Sequence, residues 1–165
     1  MPIEKITFEE LQLAAAPNEQ AYAQELHSYL LESGCKAAFE KKKTSLLGSY
    51  KFGKPPKSVL NVLLKKDGLY VRIYGEHIHL YTDFLQNMTT EMVTTLDKRG
   101  DCARLTHGGC STKCKGYDFT IRESRYQKCR YNCFEFLVTE ESGSYIMDFV
   151  KQELGERQKA LTSKA

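Results

Sequence analysis

Five of the six cysteines in this chain lie between Asp101 and Val138, at Cys102, Cys110, Cys114, Cys129 and Cys133. Their spacing is C-x7-C-x3-C-x14-C-x3-C. Thiolate sulfur binds soft and borderline metal ions, and four thiolates around one ion give the tetrahedral arrangement that structural zinc prefers. The segment from Cys102 to Cys114 is polar and contains Gly108 and Gly109, so it has little of its own to order it. Metal ligation would offset the chain entropy of fixing it. The expected ligand set is Cys102, Cys110, Cys114 and Cys129 around zinc, with Cys133 or His107 as substitutes. A catalytic zinc needs an open coordination position and a nearby base, and the sequence shows neither, so the expected site is closed and structural. These intervals are not the C-x2-C pairs of common zinc ribbons. Free buried thiols, an iron–sulfur cluster and a redox disulfide therefore stand as alternatives. Arg104, Lys113, Lys115, Lys128 and Arg130 would favour thiolates in any of these cases. Cys35 stands apart and reads as a small buried hydrophobe.

The elements that must position this cluster come from periodicity and punctuation. Thr7 followed by Glu9 and Glu10 predicts a short capped helix ending before Pro17. A second helix, capped by Asn18, runs through Ser33 with Tyr22, Ala23, Leu26, Leu30 and Leu31 as its apolar face, and Gly34 ends it. Two weak strand patterns flank Lys41-Lys42-Lys43. The clearest prediction is a hairpin over 58–75, turned by Asp67-Gly68. From Leu80 the period becomes helical and breaks at Thr89, and Lys98-Arg99-Gly100 forms a stop. After the cysteine loop, Tyr117, Phe119 and Ile121 alternate as one strand. A second strand carries Phe134, Phe136 and Val138. The last helix buries Ile146, Phe149, Val150 and Leu154 and ends at Gly155, leaving residues 156–165 as a disordered polar tail. The order predicts a single α+β domain, an antiparallel sheet with helices packed on one face plus a cysteine-rich loop.

Other chemistry is thinner. His77 and His79 fall on one side of an expected strand, but no third ligand is near in sequence, so they read as part-solvated and not as metal ligands. Lys115-Gly116-Tyr117-Asp118-Phe119 has the outline of an RNA-binding RNP1 segment, yet Asp118 puts a carboxylate where a small residue belongs. No nucleophile elbow, zinc-protease, phosphate-loop or dinucleotide motif occurs, and no catalytic residue is assigned. Net charge is only +3, but nine lysines lie between Lys36 and Lys66 against the single acid Glu40. That region with Tyr50, Tyr70 and Tyr74 is the basis of a second reading, a nucleic-acid-binding module. A thiol-dependent enzyme or redox sensor is the third. The first remains a zinc-stabilised domain binding a protein partner or small ligand through the exposed side of its sheet.

Apolar residues make up 41% and charged residues 27% of the chain, ordinary for a soluble domain. No apolar run suggests a membrane span, and the acid-bearing N-terminus is not a secretory signal, so a reducing cytoplasm is expected. The helix stop running into CARL, the C-x3-C-x-GYDF stretch and RYQKCR before an FEF strand resemble an uncharacterised family of small bacterial cytoplasmic proteins with a C-terminal cysteine cluster. The resemblance covers residues 58–154. It implies a bacterial origin and no assigned activity.

Overall fold

The Asp67-Gly68 hairpin is the middle of the main sheet. Strand β4 (Lys57–Lys65) turns through Lys66-Asp67 into β5 (Gly68–Ile73), with Leu60 paired to Ile73 and Lys65 to Gly68. Gly68 has φ +142°, a conformation side-chain-bearing residues rarely adopt, and a Cβ there would meet Leu137 Cδ1 at 2.9 Å. The structure, a computed structural model, describes residues 2–110 and 113–163.

Around this hairpin the described residues form a six-stranded antiparallel sheet in the order β1-β2-β3-β4-β5-β8, so the α+β expectation holds. The outer strands on one side are β1 (Glu4–Lys5), β2 (Lys36–Lys41) and β3 (Ser45–Phe52). Strand β8 (Glu135–Leu137) closes the other side by pairing Phe136 with Val71 and Glu135 with Arg72. Period-two alternation sorts the faces. Leu69, Val71 and Ile73 are fully buried on one face while Tyr70 and Arg72 are half-buried on the other. The core face meets α1 (Phe8–Ala14), α2 (Pro17–Glu32) and α6 (Gly143–Ser163) through Leu11, Leu26, Leu30, Phe149, Val150 and Leu154.

Local signals explain these elements. Thr7 caps α1 in a reciprocal box: its hydroxyl accepts from Glu10 N at 3.2 Å and Glu10 Oε2 accepts from Thr7 N at 2.7 Å. Helix α2 starts one residue before the expected cap, because Pro17 occupies the first helical position, where no backbone donor is needed. Glu19 accepts from Ala16 N at 3.2 Å and from Leu69 N at 2.7 Å, tying the helix start to β5. The expected break at Thr89 separates α3 (Thr82–Leu85) from α4 (Thr90–Asp97), with the Thr89 hydroxyl accepting from Met92 N.

Three expectations need correction. The second strand after the cysteine loop is two strands. Strand β6 (Tyr117–Ile121) turns at Arg122, with φ 55°, into β7 (Ser124–Lys128), and these two form a separate sheet. The chain then turns through Cys129–Phe134 before β8 joins the main sheet, because Cys133 and Phe134 are fully buried inside that turn. His77 and His79 do not lie on a strand, since β5 ends at Ile73 and a single 3-10 turn covers Ile78–Leu80. Finally, α6 does not stop at Gly155 but continues to Ser163. Of the expected tail, 164–165 lie outside the described residues.

Candidate functional site

Where β5 runs out, the chain makes a tight turn over Gly75, Glu76 and His77. Gly75 is required by space, as a Cβ there would lie 2.5 Å from Ile78 Cγ2. Its N–H donates to the buried Tyr117 hydroxyl at 2.9 Å. The turn is fastened to α6 by one carboxylate. Glu153 is fully buried, and four donors fill it. Oε1 accepts from His77 N at 3.0 Å and Tyr81 Oη at 2.6 Å. Oε2 accepts from His77 Nδ1 at 2.9 Å and Arg157 Nε at 2.7 Å. A buried carboxylate is costly unless its charge is balanced and its lone pairs are taken, and here both conditions are met. Arg157 also donates to Tyr74 O at 2.8 Å, so one guanidinium clamps helix, carboxylate and strand end together.

The geometry sets the histidine chemistry. With Nδ1–H donating to Glu153, Nε2 is the ring nitrogen left for a ligand. His77 lines a hollow of about 400 Å³ with Lys54, Lys57, Glu76, His79 and Arg157. This hollow shares Glu76, His79 and Lys115 with a second of about 280 Å³, and Glu76, Lys115 and Arg130 continue into a third of about 610 Å³ beside Cys114 and Tyr131. Together they make one polar cleft at the end of β5. Its cations outnumber its acids: Lys54, Lys57, Lys113, Lys115, Arg130 and Arg157 line it against Glu76 and Asp118, and Arg125 already pairs with Asp118. Glu76 forms an ion pair with Arg130. Burial, and then the neighbouring Arg157 charge, push the Arg130 guanidinium below its usual basicity. Lys54, Lys57 and Lys115 have no carboxylate partner among the described residues.

The expected zinc ligands are placed as follows. Cys102 is buried at the start of α5 (Ala103–Thr106), so close to Gly116 that a Cβ on that glycine would stand 2.6 Å from its Sγ. Cys110 is exposed, Cys114 and Cys129 are half-buried, and Cys133 is fully buried with its thiol pushed far up by that burial. Asp101 bridges Lys128, and Cys102 N donates to Gln127 O while Cys129 N donates to Gly100 O. Cys102 and Cys129 therefore project to the same side of this short ladder, one residue either side of the bridge. His107 is exposed and hydrogen-bonds its neighbour Thr106. Among the described residues, no three His, Cys, Asp or Glu side chains gather as a metal site. Ser111 and Thr112, in the middle of the loop, lie outside them.

Sequence reasoning passed over Glu153 and Arg157, took Tyr81 only as part of an apolar helix face and took Arg130 only as a basic neighbour of the cysteines. A signal for two of them exists. The stripe Ile146, Phe149, Val150, Leu154 passes through positions 153 and 157, so a glutamate and an arginine four residues apart occupy core positions of a helix. The expected basic region divides between surfaces. Tyr50 is buried in the core beside His27, whose Nδ1 is 2.8 Å from its hydroxyl, while Tyr70 and Tyr74 lie on the open side of the sheet. No helix in the described residues is long and apolar enough to cross a membrane. Compared with models of known protein families, with curated proteins and with solved structures, the chain matches none.

Proposed function

We propose that this domain binds a small anionic molecule, a phosphate- or carboxylate-bearing ligand, in the cleft at the end of β5. The observation that carries this is the Glu153-held imidazole of His77, set among cations that exceed the cleft's acids. Lys115 and Arg130 would neutralise the ligand, and His77 Nε2 would accept from or donate to one of its oxygens. Charged hydrogen bonds of this kind are worth more than neutral ones once desolvated. Calorimetric titration with pyrophosphate and with citrate tests the reading. One of them should bind and raise the melting temperature by mass action, by about 2.7 kcal/mol of stability at a hundredfold excess over Kd. Lys115→Ala should weaken that binding about tenfold, the loss of one charged hydrogen bond. No heat of binding and no thermal shift from either anion at millimolar concentration would refute it.

A structural zinc held by Cys102, Cys110, Cys114 and Cys129 belongs to the same reading. The shared side of Cys102 and Cys129 beside the Asp101–Lys128 bridge supports it. Thiolate ligands carry with them a reducing compartment such as the bacterial cytoplasm.

A further inference from the structure

The main sheet has a second face that the helices do not use. Along β5 and its neighbours it presents Tyr70, Arg72 and Tyr74, flanked by Asn61 and Lys65 of β4, Ser49 and Lys51 of β3, Lys36 of β2 and Glu135 of β8; Leu47, Leu63 and Leu137 and the acid Glu40 lie on the same face at the Tyr70 end. These residues are exposed or half-exposed except the buried Leu63 and Glu135, the latter 5% exposed. Glu135 is the hub. It accepts from Arg72 Nε and Nη2 at 3.0 and 2.7 Å and from Lys65 Nζ at 3.2 Å, with Arg99 Nη2 at 3.8 Å. Three cations around one carboxylate leave the patch positive, and Lys36 and Lys51 add charges with no carboxylate partner among the described residues. Aromatic rings are interleaved with them. The Lys65 ammonium lies 4.4 Å from the Tyr70 ring centre, and the Arg72 guanidinium lies 4.4 Å from that of Tyr131. Tyr131 is 64% exposed, so a ring held on an arginine that Glu135 locks in place offers its surface to solvent.

We propose that this face binds single-stranded nucleic acid. Tyr70, Arg72 and Tyr74 recur every second residue along one strand, about 6.6 Å apart, with Lys65 at the Tyr70 end of that row and Lys51 and Lys36 across the sheet at its Tyr74 end. Fixed aromatic planes inside a positive field are what unpaired bases and their phosphates require, since bases stack without regard to sequence and lysines release counterions. A duplex keeps its bases stacked inside and would leave the rings unused. A second copy of this chain is disfavoured, because face-to-face association would set cations against cations. The proposal does not depend on the anion cleft, although the two surfaces meet at Tyr74 and Tyr131.

Fluorescence anisotropy with labelled oligo-dT and oligo-U, each beside a duplex of equal length, tests it. Both single strands should bind tighter than the duplex, and a preference between them tells DNA from RNA. The logarithmic salt slope should be roughly −2, from about three released counterions. Tyr131→Ala should weaken binding about tenfold while Tyr131→Phe retains it. The exposed Lys36→Glu and Lys51→Glu changes should weaken it for every sequence, with circular dichroism confirming the fold. Lys115→Ala should weaken pyrophosphate binding about tenfold and spare oligonucleotide binding. Equal affinity for the duplex, an unaffected Tyr131→Ala variant, loss of the strand only on Lys115→Ala, or a dimer in sedimentation that Lys51→Glu disrupts would each overturn the proposal.

Discussion

Glu135 and Glu153 are both buried carboxylates, but they are held in different ways and should fail differently. Burial alone would raise the Glu135 carboxyl, yet Arg72 and then Lys65 outweigh it and hold the group below its ordinary range. A carboxyl whose folded value is depressed stabilises the fold above its unfolded value and loses that contribution as pH falls through the folded one. Stability should therefore decline from about pH 4.3 downward, and part of that acid sensitivity should vanish in Arg72→Met, as read by urea unfolding across pH. Glu153 has four donors and a single cation. Glu153→Gln would turn an amide donor towards donors and leave Arg157 buried without its charge partner, which costs about 3–5 kcal/mol when a buried pair is broken. Equilibrium urea unfolding measures it, and a loss under 1 kcal/mol would show that water replaces the carboxylate in the clamp (~1 kcal/mol being typical of an ordinary hydrogen bond).

Among the elements, the β4–β5 turn and the end of α6 matter most. Gly68→Ala must place a side chain at φ +142° between Leu137 and Glu19 Oε2, at 2.9 and 3.1 Å. A cost of about 1–3 kcal/mol is expected, read as a lowered urea midpoint at unchanged slope. This turn was legible because Asp-Gly between two β-rich runs marks a hairpin, although the loop residues are Lys66 and Asp67 and Gly68 already pairs with Lys65. The capped α1 and the break at Thr89 were legible for the same reason, as local hydrogen-bond chemistry written in Thr, Glu and Pro. What local chemistry could not show was partner choice. Residues 124–138 form two strands because Phe134 and Cys133 are drawn into the core between them, a tertiary effect with no periodic trace. The end of α6 was misread because Gly155 looked like a stop, whereas Arg157 beyond it is tied to Glu153 and to Tyr74 O, and so the helix continues. The cleft was hidden for a related reason: Glu76, Lys115, Arg130 and Glu153 come from four separate stretches.

For the whole molecule, the decisive question is how far the fold depends on the cysteines. The core built from Leu26, Leu30, Leu60, Val71, Ile73, Phe136, Phe149 and Val150 draws on α2, β4, β5, β8 and α6, none of which needs a thiolate. A chain of 165 residues buries enough apolar surface to fold without a staple. Zinc, if held by Cys102, Cys110, Cys114 and Cys129, would therefore order residues 102–116 and brace the β6–β7 hairpin without creating the domain. Protein purified under reducing conditions should carry about one zinc per chain, because four thiolates saturate one tetrahedral ion. Cys110→Ser and Cys114→Ser should each lose the metal, while Cys35→Ala, at a buried site beyond α2, should keep it. Chelation should lower the melting temperature and speed alkylation of Cys110 and Cys114, yet far-ultraviolet dichroism of the main sheet and helices should persist, unlike a zinc finger that unfolds without its ion. Elemental analysis finding no metal, with the melting temperature of both serine variants unchanged, would leave Cys102 and Cys133 as packed thiols and Cys110 as a surface one.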